Sequence, residues 1–459
     1  MKYAKRWLCT LLAVLLTVLS TGCSATYVDV EQLMKPPKAT GAKEALHRLL
    51  TEDAGTPEFI YPSSGSYRSA VTMVSFAGED TTGAIAFCAN SEGGATMYFA
   101  LQEGENWRIA AKVNNSSSQV DRVSFADLND DGRQEVLVSW GSVQSLASIL
   151  SVYSYNGTTV TEYTLARPFG EYAVTDLDRD GRQELFVAEA FMELTPDDDT
   201  VNTAEETTVL AILYRLGTEG LEISQTVALD PTVRRYSQLV ISPLPRTAYG
   251  ACSAVLLDGI RADGTVVTQL VYMDPHTDTL CAPFSGPNNA TSRPSITYVA
   301  SRDIDGDGVY ELPVVHLMPT PDNQAVQSVS YIISWQQFTP GMDVTTTVRD
   351  TIINSADGYM LTVPKQWLDG SVTCLYDTGS GTLTVYAVEK QDNVVARGAA
   401  LLQLRRYSKM EWESLPETEN YTAVYAQNNV IFAATLPTKD SPLVISLSRV
   451  AELIEPISE

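Results

Sequence analysis

The chain is poor in the residues on which the common catalytic and zinc signatures depend. Its 459 residues include three histidines (His47, His276 and His316) and six cysteines, and neither a C-x-x-C pair nor a short metal-binding histidine spacing occurs. A G-x-S-x-G elbow and a phosphate-cradling glycine loop are also missing. We therefore assign no catalytic residue. The alternative that two acidic residues hydrolyse glycosides stays open, because carboxylates are plentiful and the distance between them is not visible in a sequence.

Basic residues are scarce as well. The chain has 31 lysines and arginines against 56 aspartates and glutamates. Without residues 1–22, which hold three of the basic residues and none of the acidic ones, 28 basic residues face 56 acidic ones and the formal charge is −28. A nucleic-acid backbone or a bare anionic membrane would be repelled by this charge, so we expect no nucleic-acid partner. The excess negative charge favours the binding of divalent cations instead.

Long hydrophobic runs are confined to the N-terminus. Lys2, Lys5 and Arg6 precede the apolar run LCTLLAVLLTVL, which is typical of a secretory signal and too short for a stable transmembrane helix. The following LSTGC resembles the lipobox of bacterial lipoproteins. This resemblance implies that 1–22 is a signal peptide and that Cys23 is lipidated, which would anchor the chain to the extracellular side of a bacterial membrane. Two acyl chains give stable anchoring.

The lipobox match departs from the family at one position. Ser20 stands three residues before Cys23, where the family usually has leucine. Ordinary cleavage after Ala25 is therefore the alternative. Residues 23–40, with Pro36 and Pro37, are predicted to be a stalk that lifts the folded part off the membrane.

An acidic nonapeptide occurs three times. It reads DLNDDGRQE at 127–135, DLDRDGRQE at 176–184 and DIDGDGVYE at 303–311. Short β-prone segments flank each copy, such as DRVSFA and VLVSW around the first and SITYVAS and LPVVHL around the third, so each copy is expected to join two strands. A second hairpin follows each one, for example at Asn156-Gly157, where a type I′ turn is expected.

Two further segments, which start near 76 and 243, have the same order of strands and turns without the acidic loop. In the first of them only Asp80 keeps a ligand position, and Ala84 is expected at the place of the glutamate. The five units then start near 76, 127, 176, 243 and 303, a spacing of roughly 50 to 65 residues that is typical of propeller blades. The sequence predicts a mainly β fold, with a β-propeller of about five four-stranded blades over 55–345. A sixth blade completed by the termini stays open.

Two other segments complete the expected organisation. Residues 41–54 are predicted to form a short lead-in helix. Residues 346–459 are predicted to form a small α+β domain whose last element is an amphipathic helix within PLVISLSRVAELIEPI, with apolar residues at 443, 447, 450, 451 and 454.

The repeats resemble those of FG-GAP and VCBS proteins, which include integrin-type propellers and many bacterial surface lipoproteins. The specific part of the resemblance is the D-x-[DN]-x-D-G-x-x-E loop. The resemblance implies a binding or interaction module at the cell surface with a protein or glycan ligand. A surface hydrolase or carbohydrate-processing enzyme with its site in the propeller channel is the alternative function.

The loops themselves predict three calcium sites, because calcium takes six to eight oxygen ligands and tolerates irregular geometry, whereas magnesium demands a stricter octahedron. The glycine at the sixth position allows the turn that brings the glutamate back. An Asp/Gly turn that binds nothing is the alternative for a single copy, and three copies in phase favour metal. A structural role for the ion is favoured over a catalytic one, since one loop supplies all the ligands. The expected ligands are Asp127, Asn129, Asp131, the carbonyl of Arg133 and Glu135; Asp176, Asp178, Asp180, the carbonyl of Arg182 and Glu184; and Asp303, Asp305, Asp307, the carbonyl of Val309 and Glu311.

Other residue types have simpler expected roles. Trp107, Trp140 and Trp335 fall at repeat positions and are expected in the blade core, and His316 is expected to be packed. The cysteines after Cys23 are expected to be buried thiols, with one or two disulfides as the alternative. Cys252 and Cys281 are the candidate pair, because they flank a unit that lacks the acidic loop.

The lipobox interpretation predicts that Cys23→Ala abolishes fatty-acid labelling and releases the protein to the medium. The reason is that the thiol is the only group in the motif that can carry the anchoring diacylglycerol. Metabolic labelling and fractionation of cells expressing either form check this. Labelling that survives the substitution would contradict it.

Overall fold

The computed structural model describes residues 42–141, 148–165, 167–190, 208–286, 289–321, 324–341, 344–391, 394–416 and 420–457. The predicted signal peptide, Cys23 and the predicted stalk lie outside these ranges. Helix α1 (Ala42–Ala54) opens the described chain. Among the described residues, none of the helices combines the length and the hydropathy needed to cross a membrane.

The described strands form six antiparallel sheets that are not closed into a barrel. The first four sheets have four strands each, and every strand pairs with the one before it in the chain. Sheet one contains β1 (Val71–Val74), β2 (Gly83–Ala89), β3 (Ala95–Glu103) and β4 (Asn106–Asn115). Sheet two contains β5 (Gln119–Ala126), β6 (Glu135–Gly141), β7 (Ile149–Tyr155) and β8 (Val160–Thr164). Sheet three contains β9 (Glu171–Thr175), β10 (Glu184–Ala188), β11 (Leu210–Gly217) and β12 (Gly220–Ala228). Sheet four contains β13 (Val233–Pro243), β14 (Ser253–Arg261), β15 (Val266–Asp274) and β16 (Thr279–Cys281).

The last two sheets have five strands each. Sheet five contains β17 (Leu312–Leu317), β18 (Tyr331–Thr339), β19 (Val344–Asn354), β20 (Tyr359–Thr362) and the C-terminal β26 (Ile454–Pro456). Sheet six contains β21 (Val372–Asp377), β22 (Thr382–Gln391), β23 (Val394–Ser408), β24 (Thr422–Gln427) and β25 (Val430–Thr435). Two short helices accompany them, α2 (Lys409–Glu413) and α3 (Leu447–Leu453). The mainly β fold is confirmed, with six sheets where five blades and a separate domain were predicted.

The second strand of a sheet is buried on both faces. Strands β6 and β10 are buried along nearly their whole length, which explains why their sequences are continuous apolar runs rather than alternating ones. The fourth strands, such as β8 and β12, are mostly exposed. Sheets two and three therefore pack both faces of their interior strands against neighbours and present their last strand to solvent.

Hydrophobic clusters join each sheet to the next one in the chain. Representative pairs that share a cluster are Phe87 with Val138, Leu137 with Leu185, Phe186 with Val255, Leu256 with Phe338, and Ile352 with Leu383. Helix α1 covers the other face of sheet one through Leu46 and Leu50. Trp107, Trp140 and Trp335 are all buried in hydrophobic clusters, as expected.

Two local predictions are wrong for identifiable reasons. The segment SITYVAS does not form a strand before the third acidic loop, because the N–H and hydroxyl of Ser301 both donate to buried Asp258 (2.8 and 2.7 Å) and only a single bridge, Arg302 with Glu311, remains. The turn at Asn156-Gly157 has a positive φ at Gly157 alone and four residues between its strands. The Asn156 side chain accepts the N–H groups of Thr158 and Thr159, which closes the longer turn.

The C-terminal helix is shorter than its apolar pattern predicts. Ser446 caps its start by accepting the N–H of Arg449. Its end comes at Leu453, because Ile454–Pro456 is extended and pairs with β20 in sheet five. The expected boundary at 345/346 also falls inside β19, so sheet five reaches Thr362 and includes the last strand of the chain.

The four described cysteines are free thiols. The alternative of a disulfide between Cys252 and Cys281 is wrong: Cys281 pairs with Tyr272, and Tyr272 pairs with Ala254, which lies two residues after Cys252. Two strand spacings of roughly 4.8 Å each separate the two cysteines, more than the ~7 Å that a disulfide can bridge. His316 is exposed on β17, so the expectation that it is packed is also wrong.

Candidate metal centres

The three acidic segments are loops at the same place in their sheets. The first loop (127–135) joins β5 to β6, the second loop (176–184) joins β9 to β10, and the third loop (303–311) leads into β17. In each loop the glutamate at position nine lies opposite the residue that precedes position one: Ala126 pairs with Glu135, Thr175 with Glu184, and Arg302 with Glu311. The loops therefore start and end in the same register.

The backbone conformation of the loops is also the same. The residues at positions four and six have positive φ in all three, and they are Asp130 and Gly132, Arg179 and Gly181, and Gly306 and Gly308. Asp130 and Arg179 adopt a conformation that residues with a Cβ rarely adopt. Two left-handed residues within three positions turn the chain sharply and direct the side chains at positions one, three and five, all aspartates except Asn129, toward one side of the loop.

The aspartates are oriented by backbone N–H groups. In the third loop Asp303 accepts the N–H of Asp307 (3.1 Å) and that of Gly308 (2.9 Å), while Asp305 also accepts from Asp307 (3.2 Å). Asp307 in turn accepts the N–H of Val309 (2.7 Å). The four matching bonds are present in the first and second loops at 2.8 to 3.1 Å. The nine-residue pattern thus specifies one structure in three places.

The glutamate at position nine is the buried member of each site. Glu135, Glu184 and Glu311 are 0 to 1 % exposed, and each accepts the N–H of the residue at position two, at 2.8, 3.3 and 2.9 Å. Burial raises the pKa of Glu135 and of Glu311 to about 7, with further contributions from the loop aspartates. Burial also raises the pKa of Glu184, against the opposing effect of Arg215. A buried carboxylate is costly unless a cation balances it.

The carboxylates converge in two of the loops. Oxygens of Asp176, Asp178 and Glu184 lie within 4.8 Å of one another, and the same holds for Asp303, Asp305 and Glu311. In the first loop position three is Asn129, whose amide donates to Glu135 (3.2 Å). The second and third loops thus bring together three of their four predicted side-chain ligands, those at positions one, three and nine, and the donors are oxygens only, which suits a hard cation such as calcium.

The backbone N–H of each position-seven residue donates to the aspartate at position five of its loop. The side chains of Arg133 and Arg182 point to acidic neighbours, Asp131 (3.5 Å) and Asp130 (3.9 Å) respectively. The second of these pairs joins two loops, because Arg182 belongs to the second loop and Asp130 to the first. Val309 has the same place in the third loop and lacks a charged side chain.

One contributor to the sites was missed by sequence reasoning. The residue opposite the buried glutamate on the next strand reaches back to it, and this residue differs in each loop. Ser154 donates to Glu135 (2.9 Å), Arg215 to Glu184 (3.0 Å) and Gln337 to Glu311 (3.4 Å). These partners lie 19, 31 and 26 residues after their glutamates, so no constant spacing reveals them.

The first unit shows what replaces the site when the acidic residues are gone. Val74 pairs with Gly83, so Gly83 takes the place of the glutamate, one residue before the expected Ala84. A Cβ added at Gly83 would lie 2.7 Å from the ring of Phe76. Phe76 is 1 % exposed. An aromatic ring therefore fills the space beside position nine in this unit.

Comparison with known proteins adds little. No protein-family model matches the chain, and no curated protein matches it. Among solved structures the chain is similar to the rhamnogalacturonan lyase PL11 of Bacillus licheniformis at 11% identity and a TM-score of 0.30, over 75% of this chain and 77% of that one. A similarity at that level carries no argument about fold or function.

The raised pKa of Glu311 predicts how stability depends on pH when metal is removed. Between about pH 4.3 and 7 the unfolded glutamate has lost its proton while the folded one keeps it, so the free energy of unfolding falls as pH rises and levels off above about 7. In chelator, the stability advantage of Glu311→Gln over the wild type should therefore grow between pH 5 and pH 8 by on the order of 2–3 kcal/mol. Denaturant unfolding at both pH values checks this.

The control is Glu219→Gln, in the exposed turn between β11 and β12. This variant should follow the wild type at both pH values. A difference between Glu311→Gln and wild type that does not change with pH would contradict the burial argument.

Proposed function

We propose that the three acidic loops bind calcium and that the ions have a structural role in an extracellular, lipid-anchored β-propeller. The donor set supports this: each loop offers oxygens at positions one, three, five and nine, and a backbone carbonyl at position seven. A bound divalent cation would supply the charge that lets the buried glutamate ionise. The loop residues would hold the ion, and the backbone N–H groups keep the aspartates oriented toward it.

The observation that carries the structural role is that the loops connect neighbouring sheets. The first loop exchanges two bonds with sheet one, from Gln134 N to Ser75 O (3.2 Å) and from Ser75 N to Gln134 Oε1 (3.3 Å). In the second loop Leu177 O accepts the N–H of Ser253 in sheet four (3.1 Å). A cation that orders one loop would therefore also order the junction between two sheets.

The third loop makes the corresponding contact with sheet four. The N–H of Tyr310 donates to the hydroxyl of Ser242 (2.9 Å), which is buried at the end of β13. The hydroxyl of Ser253 meanwhile accepts from Arg179 of the second loop (3.1 Å). Sheet four has no acidic loop of its own, and acidic loops from both neighbouring sheets contact it.

A propeller is the arrangement that these features favour. Consecutive four-stranded sheets packed through hydrophobic clusters, with loops touching at one edge, are what a radial array of blades requires. Sheet five, completed by the C-terminal β26, and sheet six would then extend the array beyond the expected five blades. The lipobox-like Cys23 supports a location outside the cell. We propose binding of a protein or glycan as the role of this module.

Calcium binding by the loops predicts that chelation lowers the melting temperature. Extracellular calcium modules have Kd values of ~10⁻⁴–10⁻³ M, so at millimolar calcium each site adds on the order of 0.4 to 1.4 kcal/mol. Asp305→Ala should remove one bound ion and part of the shift. Asp80→Ala, at an exposed position of the unit without an acidic loop, should do neither. Calorimetry with and without chelator and a metal count on the protein check this.

The same measurements contain the contrary outcome. A count of zero at millimolar calcium would remove the metal from all three loops. An equal shift of the melting temperature in millimolar magnesium would mean that the loops do not select calcium over magnesium.

If the protein is a binding module, it should bind glycans or peptides on an array and leave them chemically unchanged. In a propeller whose ions are structural, the ions take no part in chemistry, so a ligand would be bound at the surface and would not be cleaved. Array binding followed by mass spectrometry of the retained ligands checks this, with the chelated protein as the control. Release of shortened glycans would favour the hydrolase instead.

A further inference from the structure

The residue opposite the buried glutamate distinguishes the second loop from the third. Both loops carry aspartates at positions one, three and five and glutamate at position nine. Leu185 pairs with Tyr214 and Leu312 with Gln336, so the next residues along the strands, Arg215 and Gln337, face Glu184 and Glu311. The second loop therefore faces the positively charged guanidinium of Arg215, whereas the third loop, which has the same acidic side chains, faces the neutral amide of Gln337.

Arg215 contacts the converging carboxylates directly. Its Nη2 donates to Glu184 Oε1 (3.0 Å) and to Asp178 Oδ2 (3.2 Å), and it lies 4.0 Å from Asp180 Oδ2. Glu184 is 1 % exposed in its side chain and Asp178 is 19 % exposed, whereas Arg215 is 44 % exposed. The guanidinium therefore covers the carboxylates from the solvent side and balances part of their charge.

Gln337 occupies the same place in the third loop with no charge. Its amide donates to Asp307 Oδ2 (3.0 Å) and to Glu311 Oε1 (3.4 Å). The hydrogen-bonding pattern resembles that of Arg215, but the carboxylates receive no positive charge from it. In the first loop Ser154 is likewise neutral, and it contacts Glu135 alone among the acidic groups of its loop.

We propose that Arg215 is a built-in counter-ion that holds the second loop in its folded form without metal and makes that loop a weaker calcium site than the third. The part concerning calcium rests on the proposed function. The counter-ion part does not, because it concerns the metal-free chain. A calcium ion entering the second loop must displace or repel the guanidinium, whereas in the third loop it meets neutral Gln337. Chelation should thus loosen the first and third loops and leave the second in place.

The two positions allow a reciprocal exchange. Arg215→Gln gives the second loop the side chain of the third, and Gln337→Arg gives the third loop that of the second. Arg449→Gln is the matched control, since Arg449 forms an exposed ion pair with Glu452 (2.5 Å) on helix α3, outside the acidic loops. Arg215→Gln and Arg449→Gln each remove one positive charge, so a general effect of net charge on Arg215→Gln appears in the control, whereas Gln337→Arg adds one and should show the opposite sign.

The experiment measures melting in chelator and calcium affinity by titration calorimetry on the purified full-length protein. In chelator, Arg215→Gln should melt below wild type and below Arg449→Gln, and Gln337→Arg should melt at or above wild type. In calcium, Arg215→Gln should gain affinity at one site and Gln337→Arg should lose it at one site, each on the order of tenfold.

The outcomes separate the two proposals. If Arg215→Gln behaves like Arg449→Gln in both measurements, the counter-ion role of Arg215 is overturned even where the wild type binds calcium. If the chelator series follows the expected order but no form binds calcium, the counter-ion role stands and the calcium sites fall. If Arg215→Gln folds poorly, Gln337→Arg still decides, because an unchanged affinity in the third loop would overturn the proposal.

Discussion

A buried carboxylate at the junction between two sheets is the constraint on which the acidic loops depend. Glu135, Glu184 and Glu311 are almost fully buried, and each is bonded to the backbone at position two of its own loop. That bond pulls the end of the loop under its beginning and fixes the register of the strands that follow. The charge is the difficulty, since a carboxyl group in such a place either keeps its proton or, when ionised, needs a cation or a set of strong hydrogen bonds.

The loops also determine how the sheets meet. Hydrophobic clusters supply the packing between consecutive sheets, but apolar contacts alone do not fix how far one sheet slides along another. The bonds from Gln134 to Ser75 and from Tyr310 to Ser242 do fix it, since each is a directional contact between the loop of one sheet and the edge of the next. A loop that loses its internal order would lose this alignment while the apolar clusters persist. The effect of a cation would accordingly spread beyond its ligands.

The sequence contains enough information for the loops and too little for their surroundings. The nine-residue spacing predicts every aspartate and glutamate that the structure brings together, because all of them come from one short segment whose glycine and left-handed residues leave few conformations. Arg215 and Gln337 could not be found in this way. They come from the next strand, and their distance along the chain from the glutamate depends on the length of an intervening connection. The missing strand at SITYVAS has a similar origin, since the partner of Ser301 is Asp258 in another sheet.

The five units can be understood as different solutions to one electrostatic problem. Where the glutamate is kept, its neighbour is serine, arginine or glutamine, and the positive charge comes from Arg215 in one loop and must come from a cation or a proton in the other two. Where the glutamate is lost, the need disappears: Gly83 gives its space to the ring of Phe76, and Ser253, the first residue of β14, instead bonds to the second loop through its N–H and hydroxyl. An apolar plug, a neutral hydroxyl and a guanidinium each allow a sheet junction to form without metal. On this view the junctions differ chiefly in how much each would depend on a bound ion, because the backbone of the loop is the same wherever the glutamate is present.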